Sequence, residues 1–183
     1  MIAASQTPAL IRLPFATNPT LHHHLDATLA SLAAKTVDLE HGPPYHTALY
    51  AWRLARNDFR GAAVVLHQRL QRLQASTDTS STSNANAAST ADVRPSSASL
   101  TSAQAQTQPV LNAYLALINV LACVEKSQAW ILADGGGPDE GRKRRVLTLD
   151  DVRAQYQGEL DRVAAIESGR FAFVGDGAEM DVL

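Results

Sequence analysis

The sequence predicts an all-α protein of antiparallel helix hairpins, stacked as part of an α-solenoid. Three observations predict it. Apolar residues recur at steps of three and four in segment after segment, which fits a 3.6-residue period and not a strand's period of two. The clearest case is Pro44 to Leu73, where Tyr45, Leu49 and Trp52 share one face and Phe59, Ala63, Leu66, Leu70 and Leu73 share another. Each limb carries a stripe that its partner limb alone does not bury, so further helices are expected alongside. No stretch reads clearly as a strand, and only Val146 to Leu149 has the look of a short extended piece.

Residues 1–17 read as loop, because Pro8 and Pro14 interrupt any helix. Asn18 followed by Pro19 has the form of an N-cap and a first-turn proline, and opens a helix over 18–36 with Leu21, Leu25, Leu29 and Leu32 on one stripe. Gly42, Pro43 and Pro44 break the chain. Helices over 44–57 and 58–75 follow, joined at Asn57 and Asp58, residue types that favour turns and N-caps.

Residues 76–107 are nearly all Ser, Thr, Ala, Asn and Gln, without an aromatic residue or a periodic apolar face. Ordering each residue costs about 1–2 kcal/mol of backbone entropy, with little burial to offset it. A disordered low-complexity linker is therefore expected here, dividing an N-terminal helical segment (1–75) from a C-terminal one (108–183). Long surface insertions add little closure entropy, so the flanking helices can still pack.

A helix over 108–126 is apolar around much of its circumference, with Val110, Tyr114, Leu117, Ile118, Leu121 and Val124, and is expected to be the most buried element. Trp130 to Leu132 prolong its apolar run, and a loop spans 134–145. Thr148 and Asp151 have capping-box spacing and open a helix over 148–168, with Val152, Tyr156, Leu160 and Val163. Gly169 suits its end, and a loose tail follows.

Composition narrows the function. The 183 residues carry a formal net charge of −2 and a sequence pI near 6.3, which gives no general attraction to nucleic acid or anionic membrane. No apolar run reaches the roughly 20 residues of a bilayer span, and the N-terminus lacks the pattern of a secretory signal. The single cysteine, Cys123, excludes an intrachain disulfide and reads as a buried, inert thiol.

Candidate chemical sites are weak. His22, His23 and His24 are consecutive on a helix and diverge by about 100° each, so they do not converge on a metal. His22 and Asp26 have ligand-pair spacing, but two ligands do not make a site. Gly135 to Gly137 lack the lysine and hydroxyl residue of a phosphate loop. Arg142 to Arg145 form a basic run of the size of a nuclear-import signal or a solvated loop flank. No nucleophile–base or metalloprotease motif occurs, so no enzyme, cofactor, metal or small-molecule substrate is expected. The residues nominated for packing or partner contact are Tyr45, Leu49, Trp52, Phe59, Leu66, Leu70, Tyr114, Leu121, Trp130 and Tyr156.

Three motifs in order resemble the helical C-terminal half of the large Y-complex nucleoporins, the nucleoporin 160 family of animals, called nucleoporin 120 in fungi. The first is an aromatic–Leu–Tyr helix with an Arg–Asn–aromatic–Arg turn, here Tyr45, Leu49 and Tyr50 with Arg56 to Arg60, then Ala62 and Ala63. The second is a tyrosine–leucine helix ending in Ala129, Trp130 and Ile131. The third begins at Leu149 to Val152. The likeness covers roughly residues 10–175 apart from 76–107 and looks closest to filamentous-fungal members.

The family's proteins are several times longer and carry a β-propeller in their N-terminal half, so the resemblance implies that this chain corresponds to a fragment. It further implies a scaffold subunit of the nuclear pore complex at the nuclear envelope. Such a subunit works with other Y-complex nucleoporins to support nucleocytoplasmic transport and messenger-RNA export, without direct nucleic-acid binding. A helical-repeat adaptor or vesicle-coat-like module outside the pore is the rival expectation.

Overall fold

The computed structural model describes residue 9 and residues 18–39, 42–87, 97–134 and 144–168. Among these, five long helices dominate: α1 (Pro19–Lys35), α2 (Tyr45–Leu54), α3 (Phe59–Ala87), α4 (Ser97–Ala122) and α5 (Leu149–Glu167). A short 3-10 turn, Lys126–Gln128, leads into β1 (Trp130–Asp134). This strand pairs antiparallel with β2 (Arg144–Thr148) in a two-stranded sheet.

Local chemistry sets the helix ends. Asn18 has extended backbone and its side-chain oxygen accepts the Leu21 N–H at 3.2 Å, with Pro19 in the first turn. Between α2 and α3, Asn57 has a φ of 59°, in the left-handed region. The Asp58 N–H donates to the Arg53 carbonyl and the Asn57 N–H to the Leu54 carbonyl, both at 3.0 Å, which is the Schellman pattern that closes a helix. Asp58 then caps α3 by accepting the Gly61 N–H at 2.9 Å. A methyl group at Gly61 would run into that carboxylate, so the third position of α3 is kept small.

The capping box of α5 is formed. The Thr148 hydroxyl oxygen accepts from the Asp151 N–H at 3.2 Å, and the Asp151 carboxylate accepts from the Thr148 N–H at 2.9 Å. Thr148→Ala removes one half of this exchange and should lower stability by about 1 kcal/mol. Thermal denaturation of the variant checks it.

Each helix packs on the next in sequence, α1 on α2, α2 on α3, α3 on α4 and α4 on α5, and β1 lies against α3. Two apolar clusters result. Leu29 and Ala33 of α1, Leu49 and Trp52 of α2 and Val65 of α3 form the smaller. The larger joins Ala63, Leu66 and Leu70 of α3 to Tyr114, Leu117 and Leu121 of α4, and continues into Ile131, Leu147 and Val152. Helix α3 therefore belongs to both.

Three expectations need correction. Trp130 to Asp134 is a strand, not an extension of the preceding apolar helix; its partner strand covers the anticipated extended piece near Val146. Ser127 lies in the 3-10 turn that separates it from α4. Helix α4 stops at Ala122, so Cys123 falls in the following turn and is exposed rather than buried. Helix α4 shares the core with α3 and leaves Leu115 at 41% exposure.

Finally, the helices run further into the 76–107 stretch than expected: α3 continues to Ala87 and α4 begins at Ser97, with Pro109 inside it. No glycine or proline falls between residues 62 and 94. Once the packed part of α3 has nucleated, adding residues to it costs little. Residues 88–96, the glycine run at 135–137, the basic residues 142 and 143, and Gly169 with the tail lie outside the described residues.

Candidate functional site

The nominated packing residues divide into two groups. Leu49, Trp52, Leu66, Leu70, Tyr114 and Leu121 are buried in the helix seams. Tyr45, Phe59, Trp130 and Tyr156 are half-buried at the seam edges. Tyr114 and Tyr156 meet across α4 and α5 with ring centroids 6.1 Å apart, and Gln74 of α3 donates to the Tyr114 hydroxyl at 3.0 Å. Burial pushes the Tyr114 hydroxyl pKa up.

Two polar junctions, neither nominated from the sequence, hold α1 onto its neighbours. In the first, Arg53 of α2 grips Asp26 of α1 with two hydrogen bonds, at 2.9 and 2.7 Å, and donates to the Gly61 carbonyl at 3.0 Å. Its pKa is raised by the bond to Asp26. Trp52 sits beside this pair, with His22 stacked on its ring at 5.2 Å and the Arg56 guanidinium 3.1 Å from its centroid. His22 and Asp26 are thus part of a packing junction. Among the described residues no group of three His, Cys, Asp or Glu side chains could hold a metal ion.

In the second junction, Arg72 of α3 reaches the C-terminal end of α1. It donates to the carbonyls of Ala33, at 2.9 Å, and Thr36, satisfying acceptors that a helix end leaves open. It also lies 3.1 Å from Nε2 of the buried His46 of α2. Arginine has no acceptor, so Nε2 accepts and the imidazole is neutral. Burial lowers the His46 pKa, and the charges of Arg72 and Arg69 lower it further.

The unfolded state therefore binds the proton more readily than the folded one. Stability should be full above the ordinary histidine pKa of 6.5 and fall as pH drops through and below it. His46→Gln should flatten that slope in denaturation midpoints measured from pH 7.5 to 5. The signal missed in the sequence is a long-range one, since Arg72 and His46 are 26 positions apart.

A third feature is on the surface. The inner side of the β1–β2 ribbon, with Ile131 and Leu147 paired in register, is buried. The outer side pairs Leu132 with Val146 and Trp130 with Thr148. Leu132 is 47% and Val146 51% exposed. The ribbon adjoins a groove of about 540 Å³ whose lining includes Ala122, Val124, Trp130 and Leu149, with Lys126, Asp150 and Arg153.

No family model matches the chain. Over 99% of its length it is 27% identical to "Nucleoporin NUP120" of Chaetomium thermophilum, and it spans 20% of that protein. The chain resembles part of fungal NUP120. Over 80% of its length it is also 24% identical to "Nucleoporin nup120" of Schizosaccharomyces pombe, spanning 11% of it. The chain thus spans a fifth or less of the NUP120 proteins it matches. The resemblance carried by the ordered helix motifs agrees with this likeness, and so does the mostly helical fold. None of the described helices is long and apolar enough to cross a membrane.

Proposed function

We propose that this chain is a scaffold segment of the nuclear pore complex, a stretch of Y-complex nucleoporin that works by helix stacking rather than by chemistry. The observation that carries the reading is the likeness to NUP120 along nearly the whole chain. The neighbour-on-neighbour packing of α1 to α5 supports the mechanical part. Helices stacked chiefly on their neighbours in sequence, with Arg72 of α3 also reaching back to α1, extend naturally into a solenoid, whose edges and ends offer surface to other subunits. In this reading the chain assembles with other Y-complex nucleoporins at the nuclear envelope. Its support of nucleocytoplasmic transport and messenger-RNA export is indirect, through the coat it helps to build.

Fluorescence imaging of the tagged gene product at its native locus tests the proposal. A punctate nuclear rim is the expected result. A diffuse or endomembrane signal would instead favour a helical adaptor or vesicle-coat module outside the pore.

A further inference from the structure

We infer that the outer face of the β1–β2 ribbon, with its adjoining groove, is a docking surface for an acidic amphipathic helix presented by another protein subunit. The strand composition carries the first step. A ribbon with one wet face alternates apolar and polar residues, whereas a near-continuous apolar run marks a strand covered on both sides. Here β1 begins Trp130, Ile131, Leu132, Ala133, and β2 contains Val146 and Leu147 in succession. Helix α3 lies against β1, and Ile131 and Leu147 are buried. Leu132 and Val146 sit opposite each other on the outer side, and about half of each side chain is exposed. Two large aliphatic side chains paired in the open next to a half-buried tryptophan form a contiguous apolar patch, unlike scattered surface leucines.

The border of the patch states the partner's charge. The Arg60 guanidinium lies 3.8 Å from the Trp130 ring centroid. Lys126 and Arg153 line the groove, while Arg144, two residues from Val146 on the same side of β2, is set opposite Asp134 by the strand register and is not part of the rim. Asp150, which pairs with Arg153 at 3.4 Å, is the one carboxylate among the described side chains lining the groove. A partner whose apolar stripe is flanked by Glu and Asp matches this rim. The groove beside the ribbon gives a helix a seat, in the helix-in-groove mode of recognition. The inference names a partner class for the scaffold reading and rests on it only for the partner being a helix of another subunit.

The test titrates the full chain with two synthetic amphipathic peptides of about 18 residues. They share a Leu stripe at helical spacing and differ in flanks of Glu or of Lys. Trp130 fluorescence is the readout, since Trp52 is fully buried. Saturable binding of the Glu peptide is expected, at least about tenfold tighter than the Lys peptide. The double variant Leu132→Ser, Val146→Thr should weaken it about tenfold or more while its circular dichroism stays unchanged. Lys126→Glu with Arg153→Glu should invert the peptide preference.

Equal binding of both peptides, binding of neither, or an unaffected double variant overturns the inference. So does a wild-type dimer in sedimentation that the double variant abolishes, because a second copy would then be the occupant. Failure of the titration leaves a nuclear-rim signal standing, and loss of the rim signal leaves the titration standing, so the two readings fail separately.

Discussion

Trp52→Ala will lower the unfolding free energy by about 3–5 kcal/mol. Trp52 has no exposed surface and packs with Leu29, Ala33, Leu49 and Val65 at the point where α1, α2 and α3 meet. Its ring also supports His22 and Arg56 from outside. Truncation leaves a cavity the size of an indole, and the Asp26–Arg53 and Arg72 junctions fix the positions of the helices around it, which limits their collapse into it. Urea denaturation followed by circular dichroism measures the loss. Trp52→Phe, which keeps most of the volume, should recover more than half of it. An unchanged midpoint in Trp52→Ala would mean that this junction is not a core.

The second large effect is at the other cluster. Leu121→Ala and Leu70→Ala should each cost about 2–5 kcal/mol. Both side chains are buried in the cluster shared by α3 and α4. They also report on the seam that spans the 76–107 stretch, because nothing local in sequence joins residue 70 to residue 121. Retained thermal stability in both variants would refute a packed α3–α4 seam. Each should keep the helical circular-dichroism signal at low temperature without denaturant and lose it at a lower midpoint than the wild type, since the helices depend on packing for their stability.

What was legible in the sequence was what chain neighbours decide. Asn18 with Pro19, Asn57 with Asp58, and Thr148 with Asp151 each announce a helix end through bonds reaching three residues or fewer, or through backbone that only certain residue types adopt. The stripe residues Leu49, Trp52, Leu66, Leu70, Tyr114 and Leu121 were legible for the same reason, because period alone places them on a buried face.

The strand at Trp130 was not legible. Four apolar residues in a row fit a buried strand or a helix turn equally, and only the pairing with residues 144–148 decides between them. Cys123 was misplaced because an apolar run says little about where a helix stops. The Arg53 and Arg72 junctions were invisible because their partners lie 27 and 36 to 39 positions away, a separation that no local pattern encodes.

Helix α3 gives Val65 to one cluster and Ala63, Leu66 and Leu70 to the other. The two halves of the molecule are therefore springs coupled chiefly through one rod, with the half-buried Tyr50 of α2 as a second, lesser link. A pull applied at α1 reaches the β-ribbon mainly by way of α3, and unzipping should begin at whichever end carries the load, with α3 the last to yield.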